Sequence, residues 1–377
     1  MTEPLITQTN LPPGLIDLGL GNPDLSLLPL DLLRQSAEAY FLTNDPRPLQ
    51  YGIEQGNGYF RHALADFLTK GYGKSVDPDL LFVTTGASSA LDLICSLYTH
   101  PEDVIFVEEP SYFLALRIFA DRGLRIIPVP MNKDGLDVKA LAELCLKHAP
   151  KLVYTIPTFQ NPSGLTLSQS RREKLVELAQ QHNFLIVADE VYQFLAYTQA
   201  PPAPFATFAE EMAQVISINS FSKILAPGLR LGWIQAHPLV IKRLSGCGLL
   251  DSGGGMNPFT SALIRSLIES GGLRENIARL SAEYAHRLDT LDKAIRTHLP
   301  EADYTRPKGG FFFWVRLPDV DTVELRSRAK KHGLDFRPGT LFSSCGGMQD
   351  YIRMSFCYYG PADIEKGIRR LGNVLAR

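Results

Sequence analysis

The stretch Val215-Ile216-Ser217-Ile218-Asn219-Ser220-Phe221-Ser222-Lys223, followed by Pro227-Gly228-Leu229-Arg230-Leu231-Gly232-Trp233, is the most informative in the chain. Its apolar opening predicts a strand over residues 215–219, and the residues after Arg230 predict another over 231–236. Between them a lysine stands among two serine hydroxyls and a downstream arginine. An amine in that setting can form a Schiff base with an aldehyde. Two hydroxyls and a guanidinium suit a phosphate.

Working outward, short apolar runs alternate with helix-period segments from about residue 80, the pattern of parallel α/β units. Strands are predicted over 80–85, 104–107, 124–130, 152–156 and 184–188. Helices are predicted over 88–98, 112–122 and 168–182, the last with Ser168 as its N-cap. The strands are apolar throughout instead of alternating, so helices should cover both faces of the sheet. The expected fold is α/β, with a mixed, mostly parallel sheet of roughly seven strands. Flanking it are a short helix over 33–41, long helical patterns over 258–270 and 276–298, and an α+β pattern over 310–317, 323–332, 351–357 and 361–376. The chain is therefore expected to divide into an amino-terminal arm with part of a smaller domain (1–50), a large domain (51–257), and interdomain helices with the rest of the smaller α+β domain (258–377). Pro201-Pro202-Ala203-Pro204 reads as a loop and Ser252-Gly253-Gly254-Gly255 as a flexible joint.

The 377 residues, 45% of them hydrophobic, suffice for one large core and a smaller one. A formal net charge of −2 offers no basic field for nucleic acid or anionic lipid. No apolar run approaches the ~20 residues of a membrane span, and residues 1–14 lack the charged-then-apolar layout of a signal peptide. Five scattered cysteines fit reduced thiols better than a disulfide framework or a zinc site. These features predict a cytoplasmic enzyme without a metal and with neither nucleic acid nor membrane as partner.

In open α/β sheets, ligands bind beyond the carboxyl ends of the strands, so the residues after each strand outline the pocket. Gly86-Ala87-Ser88 opens a helix whose free N–H groups and hydroxyl can take an anion, although the same tripeptide serves as a turn and cap. Tyr112 can stack on a planar ring or simply pack at a helix start. Asn161, in the turn-rich Pro157-Thr158-Phe159-Gln160-Asn161-Pro162-Ser163-Gly164, can donate to a phenolate oxygen. Asp189 ends an apolar strand, where a carboxylate costs desolvation energy unless paired. Facing a pyridine nitrogen it would keep that nitrogen protonated; otherwise it caps the segment that follows. Tyr192, three residues on, can bond the oxygen at ring position 3. Ring, aldehyde and phosphate together make pyridoxal 5'-phosphate (PLP), with Lys223 as its Schiff-base lysine and Ser220, Ser222 and Arg230 on its phosphate.

These residues, in this order, resemble the class I/II aminotransferases of PLP fold type I. Ile16-Asp17-Leu18-Gly19-Leu20-Gly21-Asn22-Pro23-Asp24 and Phe159-Gln160-Asn161-Pro162 resemble the branch containing 2-aminoadipate and kynurenine aminotransferases. That branch also includes aminotransferase-like domains of certain bacterial transcription regulators. The resemblance implies two-step, ping-pong transfer of an amino group from an L-amino acid to a 2-oxo acid, in a homodimer with shared active sites. It implies that Lys223, Asp189 and Tyr192 are catalytic and that Tyr51 reaches the partner subunit's phosphate. Arg353 would clamp the substrate α-carboxylate, assisted by the Gly21 backbone, with Asn161 and Asn22 beside the substrate. Ala87 stands where several relatives have a hydroxyl, so it would contribute its N–H alone. No arginine precedes Arg34, so relatives that clasp a distal carboxylate with an arm arginine give no guide to side-chain preference.

A β-lyase, decarboxylase or oxidase would use the same constellation, because the cofactor carries the hard chemistry. A PLP-binding sensor is disfavoured, since the family match begins within about the first twenty residues and leaves no room for a DNA-binding segment. A nucleotide-binding Rossmann protein would need Gly-x-Gly-x-x-Gly after a first strand, and the chain has none there.

Overall fold

The computed structural model describes residues 7–9 and 11–376. The chain opens with strand β1 (Ile16–Asp17) and helices α1 (Leu30–Phe41) and α2 (Gly58–Tyr72). The α/β region follows as β2 (Leu81–Thr84), α3 (Ala87–Tyr98), β3 (Val104–Glu109), α4 (Phe113–Asp121), β4 (Arg125–Asn132), β5 (Gly135–Leu136), α5 (Val138–Cys145), β6 (Leu152–Thr155), α6 (Gln169–His182), β7 (Leu185–Asp189), β8 (Val215–Ser220) and β9 (Gly232–Ala236). Helices α7 (Pro238–Ser245), α8 (Gly248–Gly253), α9 (Pro258–Glu269) and α10 (Gly272–His298) lead to β10 (Asp303–Tyr304), β11 (Phe312–Arg316), α11 (Thr322–Lys331), β12 (Leu334–Asp335), β13 (Arg337–Pro338), β14 (Tyr351–Ser355) and α12 (Pro361–Leu375). Among the described residues no helix is long and apolar enough to cross a membrane.

The main sheet has the order β2-β9-β8-β7-β6-β3-β4-β5. Its eight strands are the expected seven plus β5, a two-residue strand folded back on β4. Strands β4, β3, β6, β7 and β8 run parallel. Strand β9 runs against both its neighbours, β8 and β2. That reversal matters for the site: the amino end of β9 lies at the same edge as the carboxyl ends of the parallel strands. Both sheet faces are buried, as the uninterrupted apolar runs require. Ile105, Val107, Tyr154 and Val187 enter one hydrophobic cluster, while Phe106, Val153, Ile186 and Ala188 enter the other. Adjacent residues on a strand point to opposite faces, so one run feeds two cores.

A second, four-stranded sheet has the order β10-β11-β14-β13. Strand β1 pairs in parallel with β12, Ile16 opposite Leu334 and Asp17 opposite Asp335, so early residues complete the structure built by late ones.

Four helices, α2, α5, α7 and α8, were not anticipated. Helix α2 starts at Gly58 and holds Gly71 near its end, both weak helix formers. It is set instead by the Asn57 side chain accepting from Phe60 N–H, by Gly73 in the left-handed region, and by burial of Phe60, Leu64 and Leu68. Ser168 does stand at the N-cap of α6, but its side chain caps nothing; its Oγ lies 3.4 Å from that of Ser170.

The expected flexible joint at 252–255 is the larger correction. Ser252 and Gly253 end α8, and the next two glycines seat another stretch of backbone. Gly255 N–H donates to Gly52 C=O at 2.8 Å, and a Cβ at Gly255 would lie 1.8 Å from the Ile53 oxygen. These glycines permit a close backbone crossing, not motion. Gly255→Ala is therefore expected to destabilise the protein by about 2–4 kcal/mol. Gly253→Ala, where a Cβ meets nothing within 4 Å, is expected to be neutral or to stabilise by up to about 1 kcal/mol. Thermal melts of the two variants check this, and equal melting temperatures would contradict it.

Candidate active site

A cavity of about 420 Å³ opens at the carboxyl edge of the main sheet, between it and the second sheet. Every site residue expected from the sequence lines it except Gly86, which adjoins it, and Tyr51, which lies elsewhere.

One end of the cavity is a cup for an anion. Helix α3 starts directly after Gly86, whose φ of +100° suits glycine, and no side chain caps its first N–H groups. Ala87 and Ser88 in its first turn therefore offer free donors. Across from them, Ser220 Oγ lies 2.9 Å from Ser222 Oγ and accepts from Ser222 N–H at 3.1 Å. Arg230 is held at a φ of +47° just before β9, and its guanidinium donates to Thr85 C=O at 3.1 Å and Pro227 C=O at 3.2 Å. A Cβ at position 86 would come within 2.9 Å of that guanidinium, so the glycine is what lets helix start and arginine share the cup.

At the centre stand Asp189 and Lys223. Asp189 Oδ2 accepts from the Tyr154 hydroxyl at 2.8 Å, while the buried Oδ1 has no partner among the described residues. Burial pushes the Asp189 carboxyl up to about 6, against the lowering effects of Tyr154, the Val191 N–H and Lys223. Lys223 forms no ion pair with it. Its ammonium donates instead to Gly21 C=O at 3.0 Å and lies 5.3 Å from the Phe311 ring centroid. Burial draws the amine below the usual lysine value. Tyr112 and Tyr192 flank the pair, and neither hydroxyl has a partner among the described residues. Burial raises Tyr112 to about 12 and holds Tyr192 well above the ordinary tyrosine range, so both stay neutral donors.

The other end is defined by Arg353, on β14 and only 3% exposed. Its guanidinium donates to Asn161 Oδ1 at 2.9 Å and Gly19 C=O at 2.8 Å and sits 4.0 Å from the Phe312 ring centroid. Nε is left without a partner, and no carboxylate among the described residues pairs with this arginine. Burial accordingly pulls it down to about 10. Because Asn161 accepts from Arg353, its amide N–H groups remain for another acceptor.

The strap 19–22 runs between these centres. Its Gly19 and Gly21 carbonyls serve Arg353 and Lys223, and Asn22 C=O accepts from the Cys357 thiol at 3.1 Å. Sequence reasoning missed what anchors it. Asp17 accepts from Gly19 N–H at 2.8 Å, and Arg337 grips Asp17 with two bonds of 3.0 Å. It also missed Tyr154, whose one signal was a polar-tipped ring near the end of a mostly apolar strand. Glu108 was missed as well: it accepts from Thr155, Ile156 N–H and Gln160 and braces the loop that presents Asn161.

This donor set fits pyridoxal phosphate. A phosphate would meet the cup, a ring nitrogen would face the Asp189 carboxylate, and an aldehyde would meet the amine of Lys223.

Residues 13–371 match the sequence profile of the family "Aminotransferase class I and II". The chain is 33% identical to aromatic-amino-acid aminotransferase 1 of Thermococcus litoralis, over 96% of its own length and 88% of that protein. The kynurenine aminotransferase of Pyrococcus horikoshii, solved in complex with PMP, superimposes with a TM-score of 0.90 at 32% identity, covering 96% of this chain and 91% of that one. The α-aminoadipate aminotransferase of Thermus thermophilus, complexed with N-(5'-phosphopyridoxyl)-L-leucine, gives 0.87 at 30% identity, with 97% and 92% covered. A matching profile over nearly the whole length, joined to a cavity whose donors fit pyridoxal phosphate, places the chain in the class I and II aminotransferases, as a PLP-dependent transaminase acting on amino acids.

Proposed function

We propose that the cavity residues divide the transamination among them as follows. Ala87 and Ser88 at the start of α3, with Ser220, Ser222 and Arg230, hold the cofactor's phosphate. Asp189 holds its ring nitrogen, Tyr192 and the Asn161 amide its ring oxygen, and Tyr112 covers one ring face. When bound, pyridoxal phosphate supplies the carbonyl that takes up the amino group and a ring that draws electrons from the substrate's Cα. Lys223 removes the proton from that Cα through Nζ and delivers it one carbon away, acting as general base and then acid. Its lowered basicity suits this, because a proton carrier works best when neither form is strongly preferred at the working pH. Arg353 receives the α-carboxylate of the amino acid or 2-oxo acid, and its contacts with Gly19 and Asn161 fix the angle at which the substrate enters.

The buried, unpaired Arg353 carries this reading. A guanidinium taken out of water without a counter-ion is costly, and a carboxylate entering from the substrate removes that cost.

Tyr51 is read as acting in a homodimer. It is 83% exposed, and Phe41, Leu42, Leu49 and Ile53 are exposed near it in the sequence, an apolar set suited to a subunit interface. Its absence from the lining of its own subunit's cavity agrees with service to the partner subunit. All five cysteines are free thiols, which supports a reducing, cytoplasmic setting.

Lys223→Ala is expected to lower kcat by at least about 10²–10⁴-fold and to remove the long-wavelength absorbance of the bound cofactor. Wild-type turnover in that variant would overturn the assignment. Arg353→Lys should cost about 2–5 kcal/mol in kcat/KM, with most of the loss in KM for the amino acid, because a lysine cannot replace a two-pronged contact; steady-state kinetics checks it. For Tyr51, subunits carrying Tyr51→Ala are mixed with subunits carrying Lys223→Ala. In a hybrid dimer one site keeps both intact residues only if Tyr51 acts across the interface. Recovery of activity on mixing is expected, and none would place Tyr51 outside the partner's site.

A further inference from the structure

Tyr154 is fully buried on β6, its ring edge-on to Phe119 of α4 with centroids 5.4 Å apart. Tyr154 stands opposite Val187 in the β6–β7 ladder, and Asp189 is two residues further along β7. Side chains two apart on a strand share a face, so the Tyr154 ring and the Asp189 carboxylate lie on the same side of the sheet. The hydroxyl spans the gap and donates to Oδ2 at 2.8 Å. It is the one side chain among the described residues that donates a hydrogen bond to Asp189.

The carboxylate end of an aspartate turns about a soft torsion with broad preferences. Unless one oxygen is tied, either can face the cavity, or neither. The Tyr154 bond ties Oδ2 and so limits the rotation of the whole carboxylate. We propose that Tyr154 is a positioning residue for the cofactor's ring nitrogen: its hydroxyl fixes the torsion of the carboxylate where Asp189 lines the cavity, and it keeps that carboxylate ionised. The proposal rests on the reading of Asp189 as the partner of that nitrogen.

The electrostatics around Asp189 give the tyrosine its importance. Glu190, beside it in sequence, works against its ionisation, and Lys223 favours it. Glu108 on β3 and the phenols of Tyr112 and Tyr192 also feel its charge. Glu190 and Glu108 are themselves buried, so burial and like charge both favour a neutral Asp189. A hydrogen bond to the charged form opposes them. Tyr154 is suited to the task because burial, then Asp189 itself, holds its phenol well above the ordinary tyrosine range. It donates and never competes for the negative charge.

The test is Tyr154→Phe, which keeps the ring and its contact with Phe119. Holoenzyme is resolved from its cofactor, and the Kd for pyridoxal phosphate is measured across pH for wild type, Tyr154→Phe, Asp189→Asn and the double variant. Ionised Asp189 is the binding form, so affinity falls as pH drops through its titration. Losing the donor raises that midpoint. Tyr154→Phe should weaken binding about tenfold near neutral pH and move the acid limb up by about one pH unit. In the Asp189→Asn background the same substitution should change Kd by less than about twofold. The ¹⁵N shift of ring-labelled cofactor should show a smaller share of ring-nitrogen protonation near neutral pH in Tyr154→Phe than in wild type, the proton moving toward the more basic carboxylate. A wild-type profile in Tyr154→Phe, with Asp189→Asn impaired, overturns this proposal and leaves the role of Asp189 standing. Equal losses from Tyr154→Phe in both backgrounds would make the tyrosine a packing residue and overturn it too. Undiminished binding in Asp189→Asn removes the reading of Asp189 on which it rests.

Discussion

Charges that do not neutralise one another are buried around one cavity, and much of the structure exists to keep them so. Among the described residues, Asp189 ends β7 with one oxygen unpaired, Arg353 sits under the ring of Phe312 without a carboxylate, and Lys223 bonds a carbonyl instead of the nearby aspartate. Each arrangement is unfavourable in the empty protein, because desolvation disfavours an isolated charge more than neighbouring dipoles recover. Each becomes favourable when a ligand brings the complementary charge. On the proposed assignment of these residues, the fold prepares the binding energy of cofactor and substrate as an electrostatic deficit at three points.

Holding such charges apart requires rigid supports, and these are built from other buried polar groups that are satisfied. Glu190 accepts from Phe205 N–H, Ala206 N–H and Ser217 and lies 3.6 Å from Arg172. Arg172 in turn donates to the carbonyls of Pro157 and Leu167 and to Thr158. The loop after β6, which presents Asn161, and the end of β7, which carries Asp189, are therefore tied to one buried ion pair. Breaking such a pair by removing one partner costs about 3–5 kcal/mol. The Asp17–Arg337 pair does the same for the strap 19–22 at the other side of the cavity.

Topology brings these supports to a common edge. The parallel strands deliver Gly86, Tyr112, Asn161, Asp189 and Ser220 at their carboxyl ends. Arg230 precedes its strand instead of following one, and it reaches the same edge because β9 is antiparallel. From sequence the arginine could be assigned to the phosphate by its chemistry, but the strand reversal that puts it there could not be read. Similarly, the tract 252–255 has the composition of a joint, and only the crossing of Gly52 and Ile53 shows that the missing side chains make room for backbone.

The amino-acid sequence by itself determined the class of fold, the order of its main strands along the chain, and the chemistry of the site. Apolar runs of strand length and residues such as Lys223, Asp189 and Arg230 act through local pattern and intrinsic reactivity, which a linear reading preserves. Tertiary structure alone decided which groups would be left unpaired. Tyr154 meets Asp189 across a strand ladder, Arg337 meets Asp17 across 320 positions of chain, and Arg353 is denied any carboxylate by the rings packed around it. Pairing and desolvation depend on distance in space, and those distances are fixed only when both sheets and the strap between them have closed on the cavity.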